Sequence, residues 1–101
     1  MANKSIKDGK VAVIVSHGFG AGWSTWNTEY PDCDTNAELV QCILDGGDRE
    51  AVAKKLYPES YTGGLDDAEI EWVQVGCQYR IDEYDGSEII EFNDSANWKV
   101  A

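Results

Sequence analysis

The stretch AEIEWVQVGCQYRIDEYDGSEIIEF, residues 68–92, decides the fold. Ala68, Ile70 and Trp72 alternate with Glu69, Glu71 and Val73, the period of a strand with one buried face. Gly76-Cys77 has the form of a two-residue hairpin turn with glycine first. Asp85-Gly86 is a second and stronger turn, because Asp-Gly readily takes the left-handed conformation. If Asp85-Gly86 is the loop, Ile81 faces Ile90, Tyr79 faces Phe92, and Arg80 faces Glu91 on the opposite side. If Gly76-Cys77 is the other loop, Trp72 faces Ile81. The apolar residues then share one face, as register requires. The stretch therefore predicts a three-strand antiparallel meander. Glu83 and Glu88 fall opposite each other, a like-charge pair that solvent, a cation or a basic partner would relieve.

Upstream, Lys10–Ser16 is a short β-branched run ended by His17-Gly18, which reads as a buried first strand joining the same sheet. Thr35 and Glu38 have capping-box spacing at the start of a helix. Leu39, Val40, Ile43 and Leu44 form its apolar stripe, and Gly46-Gly47 stops it. Asp48 caps a second helix that puts Val52, Leu56 and Ala53 inward and ends at Pro58. The expected architecture is a small α+β domain of order β-α-α-β-β-β, its meander packed on two helices. One domain spans 1–101, with 1–9 expected as a flexible N-terminus and 93–101 as a C-terminal tail held by Trp98.

A chain of 101 residues, 43% of them hydrophobic, can bury one modest core. No apolar run approaches the roughly 20 residues of a membrane span. Residues 1–10 show no secretory signal, which leads to the expectation of a cytoplasmic protein. Cys33, Cys42 and Cys77 are odd in number and widely spaced, as reduced thiols are. With His17 as the sole histidine they make no zinc pattern, and the acidic turn around Asp85 lacks the spacing of a calcium loop. No metal and no cofactor is expected. The formal net charge of −11 repels nucleic acid and attracts basic partners.

Between the first strand and the first helix lies Gly18-Phe19-Gly20-Ala21-Gly22-Trp23-Ser24-Thr25-Trp26-Asn27. Alternate glycines and large flat side chains suit a loop that grips a partner. The competing expectation is that the indoles fold back and complete the core. The glycines resemble a dinucleotide fingerprint only superficially: Trp23 occupies the last glycine position and no helix begins there. No phosphate-loop lysine and no Gly-x-Ser-x-Gly elbow exists. Tyr61-Thr62-Gly63-Gly64 is a second glycine-aromatic loop that could share a rim with the first. Candidate contact residues are Phe19, Trp23, Ser24, Thr25, Trp26, Asn27, Tyr61 and Thr62. The acidic face is assigned to Glu69, Glu71, Glu83, Glu88 and Glu91.

Gly18–Asn27, Tyr61–Gly64 and Arg80–Glu88 make the chain resemble a group of small uncharacterised proteins of tailed bacteriophages, over about a third of its length. The resemblance implies an accessory protein made in a bacterial cytoplasm. It names no catalytic residue. The functional expectation is a non-enzymatic binding protein whose glycine-aromatic loop takes a host protein or a small, polar, nucleotide-like ligand. One alternative is an acidic mimic of nucleic acid that occupies a basic host protein. Another is a small enzyme using Cys33 and His17.

Overall fold

In the computed structural model, residues 4–18, 22–84, 86–92 and 99–100 are described. The chain runs β1 (Ile6–Lys7), β2 (Lys10–Ser16), α1 (Ala37–Asp45), α2 (Arg49–Leu56), β3 (Ala68–Gln74), β4 (Gln78–Tyr84), β5 (Ser87–Phe92) and β6 (Lys99–Val100), with short 3-10 turns at Ser24–Trp26 and Leu65–Asp67. The α+β class and the order of the main elements are those expected.

The strands form two antiparallel sheets, β1-β2-β3 and β5-β4-β6, where one meander was expected. β2 pairs with β3 along its whole length, from Lys10 opposite Gln74 to Ser16 opposite Ala68. The second hairpin has the expected register, with Tyr79 opposite Phe92, Arg80 opposite Glu91, Ile81 opposite Ile90 and Glu83 opposite Glu88. Trp72, however, lies opposite Ala12, not Ile81. The turn between β3 and β4 explains the difference. Cys77 N–H donates to the Gln74 carbonyl at 3.0 Å. Gly76 then sits at the third position of the turn with φ 88°, while Val75 keeps a negative φ. That is the type II pattern, whose twist splays its flanking strands instead of pairing them. The turn hands the chain from one sheet to the other.

The central strand β2 explains why there are two sheets. Val11, Ala12, Val13, Ile14 and Val15 are all buried, so both faces of the strand need cover. Ala12 and Ile14 meet Leu39, Val40 and Ile43 of α1, Ala53 of α2, Tyr57, Leu65 and Trp23. Val11, Val13 and Val15 meet Val73, Tyr79, Cys77, Ile81 and Ile90. The helices thus cover the first sheet, and the apolar face of the second sheet covers the other side of β2.

Local signals hold with small shifts. The cap of α1 is Asn36, whose side chain accepts from Glu38 and Leu39 N–H, in place of the expected Thr35 box. Thr35 is itself buried. Leu44, expected in the stripe, is half exposed at 50%. α2 is capped by Asp48 as expected and ends at Leu56, with Tyr57 as its C-cap just before the expected stop at Pro58. The segment expected as a flexible N-terminus contains β1, because Asp8 (φ 54°) and Gly9 (φ 75°) close a two-residue hairpin onto β2. From the expected tail, Lys99–Val100 pairs with β4; Trp98 lies outside the described residues.

Candidate recognition surface

The glycine-aromatic loop divides at Ser24. Trp23 is completely buried and is the largest such side chain. Its indole N–H donates to the Cys33 carbonyl at 2.7 Å, and its ring lies 6.3 Å from that of Tyr57. Trp23 is therefore core, which corrects its assignment as a contact residue: a domain this small buries its largest apolar surface when the polar N–H can be satisfied. Phe19 lies outside the described residues. Ser24, Thr25 and Trp26 form the 3-10 turn, and Trp26 remains 42% exposed.

Glu88 holds that turn in place. Its side chain has no solvent exposure, which removes it from the acidic face. Oε1 accepts from Ser16 N–H at 2.8 Å. Oε2 accepts from Trp23 N–H at 2.8 Å, Thr25 N–H at 3.0 Å and the Thr25 hydroxyl at 2.6 Å. Among the described residues no cation lies within ion-pair distance of it. Four donors, two of them on the loop backbone and one on the end of β2, take the place of water around a buried charge. A Cβ at Gly22 would come within 2.8 Å of Glu88 Oε2 and 2.5 Å of Thr25 Oγ1, so the loop closes on the carboxylate because that position has no side chain. The signal for this was in the strand alternation: Glu88 shares a face with Ile90 and Phe92. The expected clash with Glu83 does not arise, because Glu88 turns inward while Glu83 stays exposed and accepts from Gly86 N–H.

The two glycine-aromatic loops meet through Asn27, which is 2% exposed. Its Oδ1 accepts from Tyr61 N–H at 2.7 Å, and its Nδ2 donates to the Tyr61 carbonyl at 3.0 Å and the Trp23 carbonyl at 2.7 Å. The carboxamide pairs with residue 61 as a neighbouring strand would. Asn27 is a positioning residue for the rim and not a part of its surface. What it positions is Tyr61, 53% exposed, with its ring centroid 5.3 Å from that of Trp26. The shared rim foreseen for the two loops is thus present, with Trp26 and Tyr61 as its outer surface. Thr62 is occupied by a hydrogen bond to Glu50.

On the other flank of the 3-10 turn, Ser24, Thr25, Thr28, Tyr30, Pro31, Arg80 and Ile81 line an open groove of about 390 Å³. Hydroxyls and one guanidinium supply its polar groups, and Tyr30 and Ile81 supply apolar wall. Arg80 and Ile81 were not expected at a site, because nothing in the chain showed that β4 would lie beside the loop.

No family model, no curated protein and no solved structure matches the chain.

The remaining candidates separate. Glu69 and Glu71 flank His17, whose Nε2 is 3.8 Å and 3.3 Å from their carboxylates. Glu91 pairs with Arg80 at 3.4 Å. Cys33 is fully buried, its thiol 3.9 Å from the Asn27 carbonyl, the setting of an unreactive core cysteine. Burial and the neighbouring Asp34 push the Tyr79 phenol well above its ordinary range, so it donates to Asp34 at 2.8 Å. Burial and Asp32 do the same to Tyr57. Among the described residues no cluster of His, Cys, Asp and Glu could hold a metal ion. Among the described residues no helix is long and apolar enough to cross a membrane.

Proposed function

We propose that the chain is a non-enzymatic binding protein of the phage-accessory type that captures a host protein on the Trp26–Tyr61 rim, with the adjoining groove receiving one of the partner's side chains. The observation that carries this reading is the exposed aromatic pair on a backbone fixed from below. Glu88 and Asn27 hold the turn and Tyr61 without touching the outer faces of the rings. Aromatic side chains held in place before contact lose little freedom on binding, which is why such pairs concentrate affinity. A small nucleotide-like ligand is the second occupant the rim and groove would suit, through ring stacking and the Arg80 guanidinium.

The test is affinity capture from a bacterial lysate, comparing the parent chain with Trp26→Ala/Tyr61→Ala. The double variant should melt cooperatively near the parent temperature and lose a specific protein that the parent retains. Equal capture by both, with both folded, would overturn the reading. If binding instead survives the aromatic changes but collapses in high salt and on neutralising Glu69, Glu71 and Glu91, the acidic-mimic alternative is the better account.

A further inference from the structure

Among the described residues the first sheet ends on an unpaired margin. β3 is its outer strand, and the direction of its main-chain groups follows from the bonds at its two ends. His17 N–H donates to the Asp67 carbonyl at 3.4 Å, and Val75 N–H donates to the Gly9 carbonyl at 2.9 Å. Odd-numbered residues of this segment therefore face β2, and even-numbered ones face outward. The outward groups at the ends have partners: the Ala68 carbonyl accepts from Arg49 at 3.0 Å, Ala68 N–H donates to the Leu65 carbonyl, and the Gln74 carbonyl accepts from Cys77. Between them, Ile70 and Trp72 each direct an N–H and a C=O outward, and Gln74 adds an N–H. None of these five groups has a hydrogen-bond partner among the described residues.

The side chains on this margin differ by face. On one side Ile70 is partly buried and Trp72 is 37% exposed. On the other, the Glu69 and Glu71 side chains are 72% and 41% exposed, and among the described residues the His17 imidazole is the one basic side chain within ion-pair distance of them. An open edge that combines an apolar shelf with a carboxylate row selects a strand with the complementary alternation.

We infer that the β3 edge accepts an extended basic segment of a partner protein as a fourth strand. Lysine or arginine at alternate positions meets Glu69 and Glu71, and apolar residues between them rest on Ile70 and Trp72. A second copy of this chain is the poorer occupant. It brings a net charge of −11 against −11. Pairing centred on residue 71 sets Glu71 against Glu71, and pairing centred on residue 70 sets Glu69 against Glu71. This surface is built from residues other than the Trp26–Tyr61 rim, so Trp26→Ala/Tyr61→Ala leaves it intact and the two proposals fail separately.

The probe is a capped seven-residue peptide alternating lysine and valine. Its controls are a block-sequence peptide of the same composition and an alternating glutamate-valine peptide, all at about 0.15 M salt so that non-specific charge attraction is screened. The alternating basic peptide should bind best, shift the Ile70, Trp72 and Gln74 amide resonances, and slow exchange of those N–H groups. Trp72→Pro removes an outward donor without removing a bond to β2. It should bind about tenfold more weakly than Trp72→Thr, the scale of one main-chain hydrogen bond. Glu69→Lys/Glu71→Lys should reverse the preference toward the glutamate peptide. Equal binding of the block and alternating peptides, unchanged exchange at Ile70 and Trp72, or a sedimenting dimer closed through β3 would each overturn the inference.

Discussion

Trp23 and Trp26 stand three residues apart in one loop, yet one is sealed in the core and the other is 42% exposed. Their local sequence does not distinguish them. The difference is made by Glu88, whose carboxylate takes the N–H groups of Trp23 and Thr25 and turns the chain between the two indoles. A residue 65 positions away from Trp23 thus decides which ring is structure and which is surface. Aromatic density in a glycine-rich loop consequently counts as recognition surface only after the anchoring partner is known.

The sharpest way to break this comparison is to remove each indole in turn. Trp23→Ala should cost about 3–5 kcal/mol, as truncation of a buried tryptophan does. Against a total stability of about 5–15 kcal/mol for a domain of this kind, that lowers the thermal midpoint by tens of degrees or unfolds the chain. Trp26→Ala should cost about 1 kcal/mol or less. Thermal and denaturant melts followed by circular dichroism check both. Similar losses at the two positions would place both rings in the core and remove the outer surface from the proposed function.

A second contrast lies between two glutamates that face each other across β4 and β5. Glu88→Gln keeps the shape but turns one acceptor oxygen into an NH2 group beside N–H and O–H donors. At least one buried donor is left without a partner, at a cost of about 2–3 kcal/mol. Glu83→Gln, on the exposed member of the pair, should stay within about 0.5 kcal/mol. The loop should also loosen in the first variant alone, seen as faster amide exchange at Trp23 and Thr25. An unchanged melt for Glu88→Gln would show that the turn is held by Asn27 and Trp23 packing without the charge.

Much of the fold was legible because its signals are local. The Asp85-Gly86 turn and the alternation around it specify the register of β4 and β5 residue by residue. Asp48, Gly46 and Pro58 bound the helices. The pairing of β3 with β2 instead of β4 was not legible from that alternation, since the same glycine serves a pairing turn as the first residue of Gly76-Cys77 and a splaying turn as the second residue of Val75-Gly76. The unbroken apolar run in β2 contained the missing constraint: a strand buried on both faces calls for a second layer. The rim was half legible. Glycine and aromatic content marked both loops, and Trp26 and Tyr61 do form its surface. Trp23 belonged to the core, and Asn27 works from underneath. Glu88 was read as surface from its charge, although its place in the alternation put it inside.

The smallest effect expected extends the contrast between buried and exposed rings to two tyrosines of β4, Tyr79 at 1% and Tyr84 at 78% exposure. Burial, reinforced by Asp34, raises the Tyr79 phenol above its ordinary value of 10.0. Below pH 10 the phenol is protonated in both folded and unfolded chains, and the stabilisation from its bond to Asp34 is fully present. Above pH 10 the unfolded chain loses the proton while the folded chain keeps it, so the unfolded state binds fewer protons and stability falls as pH rises. Tyr79→Phe removes that dependence and leaves Asp34 without its hydroxyl donor, a loss of about 1 kcal/mol at pH 7. Its stability curve should therefore fall less steeply than the parent's above pH 10, with Tyr57 supplying the slope that remains by the same route. Tyr84→Phe, in contact with solvent, should stay within about 0.5 kcal/mol of the parent at pH 7. Parallel alkaline slopes for the parent and Tyr79→Phe would mean that Tyr79 ionises freely and that the seam between the two sheets opens more readily than its packing implies.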